Sequence, residues 1–170
     1  VSFSSPRYHE RMIRRAKEND IPQIIALLRQ VLEVHHNLRP DLFRTGSTKY
    51  SRQELRDIIA NPDKPIFVYV DGTATSQDRI LGYAFTAIQR HHGDNIITDI
   101  TTLYIDDICV DADARGQHVA TRLYRHCVDF ARANHFHNVT LNVWEGNDAA
   151  LAFYRAMGMG VQKTCMEQVL

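Results

Sequence analysis

The sequence predicts an α/β fold of the α+β, mixed-sheet kind, with elements in the order βααβββαβαβ, and three observations carry that expectation. Short apolar and aromatic runs bounded by turn residues recur along the chain, which is the pattern of strands. Two amphipathic stretches separate the first run from the next three, at the 3.6-residue spacing of helices. Thr101 to Val143 reads as strand, helix, strand, a unit whose two strands run parallel while hairpin-linked neighbours run antiparallel.

Val1 to Glu10 is polar and the first strand-like run starts at Met12, so residues 1–11 read as a loose arm or an expression remnant ahead of a single domain over 12–170. Asp20-Ile21-Pro22 opens the first helix, with Pro in the turn whose N–H groups have no intrahelical partner. Ile21, Ile24, Ile25, Leu28, Val31 and Leu32 supply its buried face. A charged loop, His36 to Tyr50, leads to Ser51-Arg52-Gln53-Glu54, a capping-box pattern that starts the second helix. This helix should stop before Pro62.

Ile66 to Val70 and Ile80 to Ile88 form an antiparallel pair around Asp71-Gly72, and a further strand ends at Val110. A helix over about Gln117 to Asn134 places Val119, Leu123, Cys127, Phe130 and Ala131 on one face. A strand at Asn138 to Val143, a helix at Asp148 to Met157 and a closing strand at Val161 to Val169 complete the order. The parallel crossover sets the helix start beside the carboxyl ends of the fourth and fifth strands, and a ligand belongs in that crevice.

With 170 residues and 44% hydrophobic content the chain suits one domain with a sizeable core. Lys plus Arg equals Asp plus Glu at 20 each, so no overall field draws nucleic acid or an anionic membrane. No apolar run reaches membrane-spanning length and no signal-peptide-like stretch opens the chain. The widely spaced Cys109, Cys127 and Cys165, odd in number, read as reduced thiols of a cytoplasmic protein, structural rather than nucleophilic. His35-His36, His91-His92 and His135-x-His137 lack helical ligand spacing and a completing Cys or carboxylate, so no metal site is expected.

The most informative segment is Leu103 to Arg122: an apolar strand, a short acidic turn, then Arg115-Gly116-Gln117-His118-Val119-Ala120 opening the long helix. Unpaired amides at a helix start, reached through a Gly-containing turn, form a site for phosphate. Here the chain resembles the GNAT superfamily of acetyl-CoA-dependent N-acetyltransferases. That family's pyrophosphate motif, Arg or Gln, two residues, Gly, one residue, then Gly or Ala, is matched by Arg115 and Ala120, while His118 stands at the central Gly. Downstream, Asn147 to Met159 is similar to the family's Asn-x-x-Ala-x-x-Phe-Tyr-x-x-x-Gly-Phe pattern and departs only at the final aromatic.

The resemblance implies a GNAT-like fold with the CoA cleft between the fourth and fifth strands and acetyl-CoA as co-substrate. It also implies roles. Ile108, Cys109 and Val110 would offer backbone groups to the pantetheine arm, and Arg115, Gly116, Gln117, His118, Val119, Ala120 and Thr121 would hold the pyrophosphate. Asn147 would face the cofactor, and Tyr154 would contact it as the proton donor.

In direct acyl transfer a neutral amine attacks the thioester, an oxyanion needs stabilising, and the departing thiolate needs a proton. A phenol of reference pKa ~10 keeps its proton at neutral pH and can yield it to a developing thiolate, which suits Tyr154. An alkylammonium of reference pKa ~10.4 arrives charged and calls for a base. Asp106 matches the position where some family members carry a carboxylate, and Glu145 competes from the end of the fifth strand. Asp106 and Asp107 are strand neighbours, so in a regular strand only one of them faces the cleft. The reading is therefore an N-acetyltransferase acting on a primary amine of a small molecule or protein, the alternative being a non-catalytic acyl-CoA-binding module. A nucleotide oxidoreductase is disfavoured because the Gly-x-Gly-x-x-Gly fingerprint is absent. The alternating closing segment and the resemblance together point to a homodimer.

Overall fold

β-branched and aromatic runs pair into one five-stranded sheet in the computed structural model, which describes residues 10–72 and 78–170. The strands are β1 (Glu10–Arg15), β2 (Ile66–Gly72), β3 (Arg79–His91), β4 (Ile100–Val110) and β5 (Asn138–Leu141), ordered β1-β2-β3-β4-β5 across the sheet. The first four are antiparallel in succession and β4 runs parallel to β5. The helices are α1 (Ile21–Leu38), α2 (Arg52–Ala60), α3 (Val119–Ala133) and α4 (Asp148–Ala156). β1 begins at Glu10, two residues before the expected Met12, and most of the anticipated 1–11 arm lies outside the described residues.

The two faces of the sheet carry separate cores. On one, Ile24, Leu28 and Leu55 of α1 and α2 pack on Val68, Val70, Tyr83 and Phe85. On the other, Val119, Leu123 and Cys127 of α3 pack on Phe67, Tyr69, Leu81 and Leu103, with Phe153 and Tyr154 of α4 at the margin. Helix α1 starts at Ile21 with Pro22 in its first turn as expected, but Asp20 makes no side-chain cap. Its carboxylate instead accepts from the Lys17 amide at 2.7 Å and from Arg14 at 2.7 Å. The Ser51–Glu54 capping box is present: Ser51 Oγ accepts from the Glu54 amide at 3.2 Å and Glu54 accepts from the Ser51 amide at 2.7 Å.

One expected element is missing. Residues 160–170 are exposed and, with Met159, form no strand, so the observed order lacks the sixth strand. A strand over this segment would put Lys163 and Glu167 on the same side as Val161, Cys165 and Val169, because side chains alternate. That side cannot be buried cheaply. Glu167 instead joins Arg39 at 2.8 Å near the end of α1.

Candidate active site

The cleft arises because β4 outlasts β5. Their parallel pairing runs from Thr102↔Asn138 to Ile105↔Leu141 and stops, two residues short of the Val143 end expected for β5, while β4 continues to Val110. From Asp106 onward the side of β4 that faced β5 is open. Ile108, Cys109 and Val110 remain bonded to β3 through Ala84, Tyr83 and Gly82, so their other backbone edge borders the opening. Ile108 and Val110 pack toward α3, whereas Cys109 sits in the opposite core with Sγ 3.5 Å from the Leu27 carbonyl.

At the same point β4 carries a bulge. Phe85 pairs with Asp107 and Thr86 with Ile105, leaving Asp106 as the extra residue. A bulge breaks the two-residue alternation, so Ile105 and Ile108 both lie on the α3 face while Asp106 and Asp107 both turn to the α1–α2 face. This corrects the expectation that only one of the two acids faces the cleft. Asp107 accepts from the Tyr83 hydroxyl at 2.7 Å. Burial raises its carboxyl above the usual value, opposed by the Tyr83 bond and the charges of Lys49 and His35. Asp106 Oδ2 accepts from Lys49 Nζ at 2.6 Å and from the Tyr50 hydroxyl at 3.3 Å.

The helix start differs from the expectation by two residues. Arg115 and Gly116 lie in a turn, Gly116 at φ 76°, and α3 begins at Val119 with His118 as its N-cap at φ 61°, ψ 20°. The left-handed conformation explains why a glycine suits position 118: it meets no Cβ penalty there. The His118 side chain caps nothing, and the N–H groups of Val119, Ala120 and Thr121 meet no backbone or side-chain acceptor among the described residues. The first amide bonded back within the helix is that of Arg122, to His118 at 3.1 Å. Three donors at the positive end of the dipole thus point at the mouth of the cleft. Gly82 lets α3 come this close: a Cβ there would stand 2.7 Å from the Cys109 carbonyl oxygen and 3.0 Å from Val119.

Across the opening, α4 presents Tyr154, tilted against Tyr124 with centroids 6.0 Å apart. Its hydroxyl makes no hydrogen bond among the described residues; burial, then the Asp107 charge, raises its pKa above the ordinary tyrosine range. Asn147 is the N-cap of α4, its side-chain oxygen accepting from the Ala150 amide at 3.2 Å. Glu145 stands exposed in the turn before α4 and makes no hydrogen bond or ion pair among the described residues, so the structure does not join it to the paired acids. On the α1 side, Phe43 bonds through its carbonyl to His36 Nδ1 at 2.7 Å, and its ring packs on His35 and edge-on to Trp144 at 5.2 Å. The residues linking α1 to α2 therefore reach both β4 and the turn after β5.

Lys49, Tyr50, Tyr83 and Trp144 escaped the sequence reading. Tyr50 directly precedes the Ser51 cap, and that adjacency was the available clue that the end of the loop is fixed in place. The bulge that turns Asp106 has no local sequence mark.

Residues 31–159 match the acetyltransferase (GNAT) family. The chain is 26% identical over 151 residues to the peptidyl-lysine N-acetyltransferase YjaB of Salmonella typhimurium, covering 88% of this chain and 83% of that protein. It is likewise 26% identical to the bovine (Bos taurus) thialysine N-epsilon-acetyltransferase, over 86% of this chain and 82% of that protein. Among solved structures, the F44R mutant of the BH1408 protein from Bacillus halodurans superposes with a TM-score of 0.86 at 27% identity, covering 94% of this chain and 99% of that one. With the split between β4 and β5, the open helix start and these matches together, the chain belongs to the GNAT acetyltransferase family and is an acetyl-CoA-dependent N-acetyltransferase.

Proposed function

We propose that the chain transfers the acetyl group directly to a primary amine carried by a lysine-like side chain of a protein or small molecule. The observation that carries this reading is the bulge that turns Asp106 and Asp107 to one side of β4, at the point where β4 parts from β5. Two acids there suit an arriving ammonium, and both named relatives act on a lysine or thialysine amine.

Acetyl-CoA supplies an activated acyl carbon and a thiol leaving group. The open amides of Val119 to Thr121, with Gln117 and His118 in the preceding turn, receive its pyrophosphate, flanked by Arg115, Gly116 and Ala120. The free edge of Ile108, Cys109 and Val110 receives the pantetheine amides. Asp106 draws the acceptor ammonium to Oδ2 and takes its proton, while Asp107, locked by Tyr83, holds the bulge in place. Tyr154 keeps its proton through the assay range and gives it up at the hydroxyl to the departing sulfur. Glu145 is the competing base.

The test is thiol release from acetyl-CoA with a capped lysine amide, thialysine and a polyamine as acceptors, with product identified by mass. Thiol release matched by acetylated amine supports the reading. Calorimetric acetyl-CoA binding with no release for any acceptor returns the binding-module alternative. The open edge of β5 and the exposed Val161, Met166 and Val169 favour a homodimer, and the buried free thiols Cys109 and Cys127 suit a cytoplasmic setting. No helix among the described residues is long and apolar enough to cross a membrane.

A further inference from the structure

We infer that Lys49 holds the seat of the acceptor's ammonium, so that an acceptor binds by displacing an internal cation from Asp106. The inference rests on the reading of Asp106 as the acceptor-facing acid. Lys49 arrives from the loop between α1 and α2, 57 residues away in sequence, and its Nζ lies 2.6 Å from Asp106 Oδ2. The same oxygen accepts from the Tyr50 hydroxyl at 3.3 Å, and the Lys49 ammonium sits 5.4 Å from the centre of the Tyr50 ring. A carboxylate, a hydroxyl and an aromatic ring around one ammonium are the parts of an alkylammonium site.

The occupant has the same head and methylene stem as a peptidyl lysine. An acceptor ammonium seated between Oδ2 and the Tyr50 ring would stand where the Lys49 head already stands, and like charges brought that close repel in a part-buried cleft. One must leave. Lys49 is free to do so: its side chain is 42% exposed and Asp106 is 30% exposed. Asp107, His35 and Tyr83 border the pair. Burial alone would lower the Lys49 ammonium, but Asp106 outweighs it and holds the group above its ordinary value. Lys49 thus fills the seat charged and unreactive.

A lysine that fills the acceptor's seat taxes every acceptor by the fraction of time it is in place. Lys49→Met keeps the stem and removes the charge, and Lys49→Arg keeps the charge. For a capped lysine amide, Lys49→Met lowers KM by about tenfold with kcat preserved, while Lys49→Arg stays near the native value. A purely structural clamp predicts the opposite for Lys49→Met, with KM rising and kcat falling together. The second measurement is calorimetric binding of Nε-trimethyl-lysine amide, which cannot be acetylated, to CoA-saturated protein. It tightens by a similar factor in Lys49→Met. A KM that is unchanged or raised, or weaker trimethyl-lysine binding in that variant, overturns the inference. If the native protein turns over no lysine amide, the proposed acceptor class fails on its own, and the trimethyl-lysine titration still decides the role of Lys49.

Discussion

Tyr154 carries a hydroxyl with no partner among the described residues, on a ring held by Tyr124 and Phe153. Tyr154→Phe therefore removes chemistry and little packing. The single-turnover rate should fall on the order of a hundredfold with acetyl-CoA affinity retained, and an unchanged rate would remove Tyr154 from proton donation. At His118 the backbone is left-handed, so His118→Gly relieves about 1 kcal/mol of native-state cost against a comparable gain in unfolded-state freedom. Calorimetry should find acetyl-CoA affinity within about tenfold of the native value, since the amides remain. The thiols separate by position. Burial pushes Cys109 and Cys127 up to about 12, while Cys165 is exposed. Brief alkylation of the folded chain should label Cys165 alone. An unfolded thiol ionises from about pH 8.5, so the stability these two contribute is complete below that and declines as the pH climbs toward 12, a trend that melting curves across the range would read. The Arg115–Ala120 and Asn147–Met159 patterns were legible because they are local. The directions of Asp106 and Asp107 were not, because alternation holds only in a regular strand and the bulge is set by the pairing partner Phe85.

Among the elements, the approach of α3 to β3 turns on Gly82. Gly82→Ala places a methyl 2.7 Å from the Cys109 carbonyl oxygen, which is backbone and cannot swing away, and 3.0 Å from Val119. The expected cost is about 1–3 kcal/mol, read as a lower denaturation midpoint, and on the proposed pyrophosphate site acetyl-CoA binding weakens as well, because Val119 opens α3 with a free amide. Helices α1 and α2 could be read directly, since Pro22 and the Ser51–Glu54 box mark their starts in sequence. The closing strand misled for an identifiable reason. Val161, Cys165 and Val169 are evenly spaced, yet Lys163 and Glu167 fall between them on the same side, and Glu167 has a better partner in Arg39. β5 also proved shorter than its apolar run, because pairing to β4 ends at Leu141.

At the scale of the molecule, neither outer edge of the sheet is covered by a further strand among the described residues: β1 and β5 each have one neighbour. An open β5 edge and, elsewhere on the surface, exposed Val161, Met166 and Val169 favour association, and sedimentation should show a dimer in the micromolar range. A monomer at every concentration, or a dimer that survives removal of residues 161–170 unchanged, would separate the tail from assembly. The mixed sheet with its parallel β4–β5 pair followed from the order of apolar and amphipathic runs in the sequence. Where the sheet splits did not, because the split depends on how far two strands distant in sequence stay paired. The extra residue in β4 gives this architecture an evolutionary hinge. Thr86↔Ile105 and Phe85↔Asp107 are already in the register of an unbroken ladder once Asp106 is set aside. A single-codon deletion would thus leave both hydrogen-bonded partners, the turn before α3 and both cores in place while erasing one acid and restoring alternation. On the role proposed for Asp106, the acid that serves transfer and the residues that hold the strand are encoded at separable positions, so a lineage could lose the first and keep the folded scaffold in one mutational step.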